Sequence, residues 1–357
     1  MTRFENDYLE GCFPEILERL STSNMEQTPG YGNDPHCETA KNMIRDLCGD
    51  PEASVHFLVG GTQTNKIVIS SILKPFQGVI SADSGHINVH ETGAIEQSGH
   101  KVLAIPATDG KISADAIGRM MEEHESDPAR EHTVQPALVY ISFPTELGTI
   151  YSKAELTAIH ECCRRYDIPL FIDGARLGYG LAAEGCDLTI KDIAALADVF
   201  YIGGTKQGAL FGEAVVFPKP HSSDSVRTTI ESADKDFRYH LKQNGGMLAK
   251  GRALGIQFET LLGSDLYFKA ARKADSLALR IRDAFVAKGR EMFVDSPTNQ
   301  QFPILTDGDI ERLQNLGFGF EITRHLGDGR TAVRFCTSWA TTEESVAALE
   351  NAIGSLL

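Results

Sequence analysis

Three short segments of this 357-residue chain hold residue types that could do chemistry together. In Phe57-Leu-Val-Gly60-Gly61-Thr62-Gln-Thr-Asn65 an apolar run meets two glycines, then Ile67, Val68 and Ile72 at helical spacing. Glycines let the backbone come close to a ligand, and the free N–H groups of a helix start hold an anion. The Thr62 hydroxyl adds a hydrogen bond there. In Leu170-Phe-Ile-Asp173-Gly-Ala-Arg176-Leu a carboxylate ends an apolar strand, a costly place unless a cation meets it. A protonated pyridine nitrogen is such a cation, and the pairing keeps that ring an electron sink. In Val199-Phe-Tyr-Ile-Gly203-Gly204-Thr205-Lys206-Gln-Gly208 a lysine stands among glycines at the mouth of a strand. Partial desolvation and nearby cations lower the pKa of such an amine and make it a nucleophile. Each segment has a plainer account: a turn that binds nothing, an Asp173–Arg176 pair, a surface lysine. Their joint occurrence argues for a pyridoxal-phosphate site, with Lys206 carrying the cofactor as a Schiff base.

The elements that must position these residues alternate in type. Strands are expected at His56–Val59, Gly78–Ala82, Val102–Pro106, Leu138–Phe143, Leu170–Ile172, Val199–Ile202 and Ala214–Phe217. Helical patterns lie between several of them, such as Ser152–Tyr166 with Leu156, Ile159 and Cys163 on one face. Continuous apolar strands separated by amphipathic helices predict an α/β fold with a mostly parallel sheet covered on both sides. Ligands then sit beyond the carboxyl ends of the strands. After Met247 helical stretches at Leu248–Leu262 and Leu266–Val286 precede short strands at Gln301–Leu305, Gly319–Thr323 and Ala332–Thr337. Thr341-Thr342-Glu343-Glu344 reads as a capping box opening a last helix. The expected division is a large domain over 1–247 and a smaller C-terminal α+β domain over 248–357.

Composition narrows the partners. A net charge of −15 speaks against nucleic acid and anionic membranes, which want a basic footprint. No run approaches the roughly 20 apolar residues of a membrane span. Seven scattered cysteines without CxxC spacing read as free thiols in a reducing compartment, so a cytoplasmic location is expected. His86 and His90 fall on one helical face, but nothing supplies further ligands at a recognisable spacing. No metal is expected.

The sequence resembles the fold type I pyridoxal-phosphate enzymes of the L-threonine aldolase and aromatic β-eliminating lyase group over nearly its whole length. The resemblance is carried by Tyr31-Gly-Asn-Asp34, Gly61-Thr62-Gln-Thr-Asn65, His86-Ile-Asn-Val-His-Glu91-Thr-Gly93, Asp173-Gly-Ala-Arg176-Leu, Thr205-Lys206 and Val333-Arg334-Phe-Cys-Thr-Ser-Trp. It implies that Gly61 and Thr62 hold the phosphate, with Thr205, Arg176 and Lys206 also at the cofactor. His86 is implied to stack on the ring, Asp173 to pair with its nitrogen and Lys206 to bind it covalently. Arg176 and Arg334 are implied to position the substrate carboxylate, with Asn6 standing where many relatives carry a serine. A guanidinium grips a carboxylate through two parallel bonds, and Arg334 interrupts an otherwise apolar strand. The plainer reading of Arg334 is an edge-strand charge facing water.

One element departs from the aldolase pattern. Where many aldolases carry Thr-His-Asn, this chain has Phe143-Pro-Thr145-Glu146-Leu-Gly148, so no histidine stands there to reach the substrate hydroxyl. His86, Glu91 or a water held by them are the expected bases. The expected activity is reversible cleavage of an L-β-hydroxy-α-amino acid, such as threonine, allo-threonine or phenylserine, to glycine and an aldehyde. A β-eliminating lyase acting on aromatic amino acids, an aminotransferase and a catalytically silent scaffold are the rivals. The resemblance also implies a homo-oligomer, a dimer or tetramer, with residues of a partner chain completing the site.

Overall fold

The computed structural model describes residues 1–219 and 224–356. After a short N-terminal strand β1, Thr2–Arg3, seven strands form the central sheet. They are β2 Ser54–Leu58, β3 Gln77–Ala82, β4 Lys101–Ile105, β5 Gln135–Ser142, β6 Leu170–Asp173, β7 Val199–Gly203 and β8 Glu213–Phe217. The spatial order is β2-β8-β7-β6-β5-β3-β4. The pairs from β4 through β3, β5 and β6 to β7 are parallel, and β8 is antiparallel to both β7 and β2. The expected mostly parallel sheet is therefore present, with strand limits close to those expected.

Side chains alternate between the two faces of each strand. Val139, Ile141, Ile172, Phe200 and Ile202 join one core, with Leu156, Ile159 and Cys163 of helix Lys153–Arg165. Leu138, Tyr140, Phe171, Val199 and Tyr201 join the other, with Ile67, Val68 and Ile72 of helix Gly61–Ile72. Both layers are needed because the strands are apolar on both sides. Ser152 and Glu155 form a reciprocal capping box that starts helix Lys153–Arg165 at its expected place.

The C-terminal part holds helices Arg252–Gly263 and Leu266–Ala287, then β9 Gln300–Gln301, β10 Ile304–Thr306, β11 Phe318–Gly319, β12 Glu321–Gly327 and β13 Arg330–Cys336. β9, β10 and β12 pair antiparallel with β13, while β11 pairs in parallel with β1. Several expectations shift here, and the strands foreseen at Gln301–Leu305 and Gly319–Thr323 each divide, into β9 and β10 and into β11 and β12. The helix foreseen from Leu248 begins at Arg252, after a turn in which the Ala249 carbonyl accepts from the Tyr31 amide at 3.2 Å and Gly251 packs on Gly32. The last helix, Glu343–Gly354, is capped by Thr342 through the Ser345 amide, one residue later than the expected box. Thr341 instead accepts from the Ser338 amide at 2.8 Å and closes the preceding turn.

Two cores meet inside one helix. Phe258, Leu261 and Tyr267 pack in the large core, whereas Leu277, Ile281 and Phe285 join Val333, Phe335 and Leu349 in a smaller one. Phe4 belongs to that smaller core too, so the first residues of the chain lie with the last. Among the described residues no helix is long and apolar enough to cross a membrane.

Candidate active site

The carboxyl ends of the parallel strands bring the chemistry together, as an open α/β sheet does. Gly61 follows β2, His86 follows β3, Glu146 follows β5, Asp173 ends β6 and Lys206 follows β7. Asp173 lies on the same face of β6 as Phe171, two residues back, and register aligns it with Ser142 of β5. Tyr140 and Tyr201, on the flanking strands, face the same side. Their hydroxyls donate to Asp173 at 2.6 Å (Oδ2) and 2.5 Å (Oδ1). Asn65 Nδ2 adds a bond to Oδ2 at 2.9 Å, and the Ala175 amide one to Oδ1 at 2.9 Å. Burial by itself would raise the Asp173 pKa, but the His86 charge and these donors hold it below the ordinary carboxylate value. Asp173 is a buried anion, and its partner is not Arg176.

Lys206 is brought beside it by contact between two loops. Gly203 donates its N–H to the Gly174 carbonyl at 3.0 Å. A Cβ on Gly174 would fall 1.8 Å from the Tyr201 carbonyl oxygen, and one on Gly203 would fall 2.4 Å from that of Ala175. Only glycine permits this approach, which explains why both key residues sit in glycine-flanked motifs. Burial first, and then the Arg176 charge, lower the Lys206 pKa, against the raising influence of Asp7, Asp173 and Glu213. The amine is thereby kept nearer its neutral, nucleophilic form. Burial pushes Glu213, at the start of β8, up to about 8. Thr205 Oγ1 donates to Glu213 at 3.1 Å and accepts from the Gly212 amide at 3.0 Å, so it is turned toward the hairpin.

A cavity of about 600 Å³ opens in front of these groups, lined by His86, Glu146, Arg176, Lys206, Glu321 and Arg334 among others. An inner cleft shares the first four and reaches Gly61, Asp173 and Tyr201. Arg176 is closed on Asp7 through a two-pronged pair, Nε to Oδ2 at 2.7 Å and Nη2 to Oδ1 at 3.0 Å. Arg334, on β13, donates from Nη2 to the Glu5 carbonyl at 2.8 Å and to Glu321, while its buried Nε has no partner. Arg334 thus faces the cavity and is not an edge charge in water.

The remaining expected residues fall into two groups. His86 is half-exposed in the cavity, with Nδ1 2.8 Å from Glu91 Oε1. Glu91 is sealed beneath it, its side chain 0% exposed and bonded also by Asn65 Nδ2 at 2.7 Å. Glu91, one of the expected bases, therefore does not open onto the cavity itself and touches it only through His86 Nδ1. Thr62 is exposed at the first turn of helix Gly61–Ile72. The Asn6 amide oxygen accepts from the Tyr8 amide at 3.1 Å, and it is the neighbouring Asp7 that turns in toward Arg176. Among the described residues no cluster of three or more His, Cys, Asp or Glu could hold a metal ion.

Sequence reasoning did not single out Asp7, Asn65, Tyr140, Tyr201 or Glu213. Two signals could have found some of them. Tyr140 and Tyr201 put hydroxyls in otherwise apolar strands, and Asn65 sits one turn into a helix on its buried side. Buried polar atoms of this kind need partners.

The donor set fits pyridoxal phosphate. A buried, ionised Asp173 suits a protonated ring nitrogen, and a depressed amine at Lys206 suits attachment to an aldehyde. The His86 ring borders the same space. Gly61 opens a 12-residue helix at the cleft, and a Cβ there would come within 3.2 Å of the Tyr201 hydroxyl.

Comparisons with known proteins agree. A family model described as beta-eliminating lyase matches residues 7–297. The structure of a threonine aldolase from Leishmania major superposes with a TM-score of 0.93 at 41% identity, over 99% of both chains. A low specificity L-threonine aldolase from a Pseudomonas species is 29% identical over 351 residues, 96% of this chain and 94% of the relative. Its counterpart in Pseudomonas aeruginosa is 28% identical over 348 residues. An aspartate aminotransferase from Thermus thermophilus shares the fold at 15% identity and a TM-score of 0.70. The chain belongs to the beta-eliminating lyase family of pyridoxal-phosphate-dependent enzymes, on the fold type I scaffold.

Proposed function

We propose that this chain cleaves L-β-hydroxy-α-amino acids, threonine and allo-threonine among them, reversibly to glycine and an aldehyde. The observation that carries the reading is the meeting, in one cavity, of the Lys206 amine with two guanidiniums, Arg176 and Arg334. That set suits an amino acid held by its carboxylate while its amine exchanges with the lysine. The names of the similar proteins support threonine as the substrate over tryptophan or tyrosine.

In this reading Lys206 holds the cofactor, Asp173 keeps its ring nitrogen protonated, and His86 covers the ring. Gly61 and Thr62 hold its phosphate. Arg334 takes the substrate carboxylate with its guanidinium, exchanging Glu321 for it, while Arg176 stays locked on Asp7 and adds positive charge from the side. Asn6 and Thr205 support from one layer behind. When bound, pyridoxal phosphate supplies the electron sink for the pair left on Cα when Cα–Cβ breaks. Arg334 would fix the substrate so that this bond stands perpendicular to the ring.

Two units build this site, and we place their meeting within helix Leu266–Ala287, with residues 1–4 counted in the second unit. A homo-oligomer, dimer or tetramer, acting in the cytoplasm is the form we propose. The test is incubation with threonine, allo-threonine, phenylserine, tryptophan and tyrosine, scoring glycine, aldehyde and ammonia separately. Glycine and acetaldehyde in equal amounts from threonine are expected. Ammonia with indole from tryptophan, and no aldehyde from any β-hydroxy amino acid, would hand the chain to the elimination reading.

A further inference from the structure

We propose that Glu146 is the catalytic group that takes the proton from the substrate's β-hydroxyl and gives it back in the reverse direction, an assignment that rests on the aldolase reading. Glu146 follows the carboxyl end of β5 and lines both the inner cleft and the outer cavity, together with Lys206, His86 and Arg176. Its Oε1 accepts from the His86 amide at 2.9 Å and from Ser142 Oγ at 2.6 Å. Two bonds to one oxygen fix the carboxyl and leave Oε2 out of both, so the group is preset rather than swinging freely. The other expected acids and bases are less suited. Glu91 is sealed, and His86, whose Nδ1 is tied to it, is the ring that the proposed reading lays over the cofactor, with only Nε2 left free. Thr145 is buried, with its hydroxyl bonded to that of Thr149 at 2.7 Å, and is not basic.

The chemistry balances without a further reactant. The β-hydroxyl O–H bond breaks with its proton going to Glu146, and the O–H electron pair becomes the second bond of the aldehyde carbonyl. The Cα–Cβ pair passes to Cα, which takes up one proton to complete glycine while Glu146 gives up the one it received, so the proton count closes and the carboxylate is restored. Around Glu146 the inner cleft presents His86, Asp173, Arg176 and Lys206, and the outer cavity adds His90, Glu321 and Arg334. Burial, and then the Asp173 charge, hold the Glu146 carboxyl above the usual glutamate range, against the pull of Ser142 and of the backbone amides. A base of raised pKa must still be ionised to act. Cleavage therefore falls as pH drops through the raised value, above the range of an ordinary glutamate.

Glu146→Gln tests this, because the amide oxygen can still accept from His86 N and Ser142 Oγ while no proton can be taken. With threonine as substrate, kcat should fall about 10²–10⁴-fold, the typical contribution of a general base. The visible absorbance of the bound cofactor, and its change on adding glycine, should persist. A kcat within about threefold of wild type overturns the assignment. Ser142→Ala is read in parallel: it strips one donor from the carboxylate, so the acid limb of the kcat/KM profile moves to higher pH. An unmoved limb overturns the assignment even if Glu146→Gln fails to fold. Wild type that releases no aldehyde from any β-hydroxy amino acid sinks the aldolase reading and this role with it. Normal wild-type cleavage with an unimpaired Glu146→Gln sinks the role of Glu146 alone.

Discussion

Asp173 and Asp275 are each 4% exposed, yet the protein treats them in opposite ways. Asp173, at the end of β6, receives four donors and is held ionised. Asp275, on helix Leu266–Ala287, has no hydrogen bond on either oxygen. Burial pushes its carboxyl well above the usual range and outweighs the pull of the Asn299 amide, which stands outside hydrogen-bond geometry. Nearby polar groups share the condition: the Tyr267 hydroxyl and both amide atoms of Gln207 are also buried without partners. Depth therefore does not decide charge; the number and kind of donors do. At the sheet end the chain spends two tyrosines and an asparagine on keeping one anion charged. On helix Leu266–Ala287 a carboxyl of equal burial is left without such donors, and its pKa rises.

The largest effect should come from the ionised side, at Lys206. Lys206→Ala should lower kcat by about 10⁴-fold or more, the scale on which removing a nucleophile acts. Borohydride reduction of wild type should fix the cofactor on Lys206 by peptide mapping. Label on a different lysine would break the picture of a site built on β6 and β7. Asp173→Asn comes next, with an expected loss on the order of 10²–10³ in kcat, as when one preorganised electrostatic partner is removed. Cofactor content is measured alongside, because the same variant should weaken binding of the protonated ring. If Asp173→Asn kept full activity, Asp173 would be merely structural and no different in kind from Asp275.

A smaller change sharpens the comparison from within. Tyr201→Phe removes one of the four donors while leaving the carboxylate in place. A hydrogen bond to a charged group contributes about 1.5–3 kcal/mol, so unfolding should show a loss of that order. Asp173 would then titrate at higher pH. Its lowered pKa gives stability that is present above the unfolded value and lost as pH falls through the folded one. The acid unfolding midpoint of Tyr201→Phe should accordingly shift upward relative to wild type.

Much of this was legible in the order of residues, and the reasons are local. Strand–glycine–helix punctuation, an acid ending an apolar run and a lysine between glycines each depend on a few neighbouring positions. The strands are apolar on both faces, so the mostly parallel sheet also followed from pattern alone. What stayed hidden depends on register and on long-range closure. Tyr140 and Tyr201 meet Asp173 only because three strands align, from positions 33 and 28 residues away. Asp7 meets Arg176 across 169 residues, and no spacing in the chain announces that. The division between units is hard to read from pattern for a similar reason: helix Arg252–Gly263 follows the change of style near Met247, yet its Phe258 and Leu261 pack in the large core.

The finest test is at Asp275, where the expected effect is on stability and not on rate. Its folded carboxyl stays protonated at pH values where the unfolded chain, with an ordinary aspartate near 4, has released the proton. The native state then binds more protons than the unfolded one, so stability falls as pH rises, by about 1.4 kcal/mol per unit until the folded group ionises. This is the reverse of Asp173, whose stabilisation appears as pH rises. Asp275→Asn keeps the shape and has no proton to lose. The difference in unfolding free energy between variant and wild type should therefore grow in the variant's favour as pH rises above the ordinary aspartate value, until the folded carboxyl ionises, while threonine cleavage is little changed. Taking the difference cancels every other titrating group. A difference that stays flat over that range would mean Asp275 is ionised in the fold, with a partner yet to be found, and the contrast with Asp173 would dissolve.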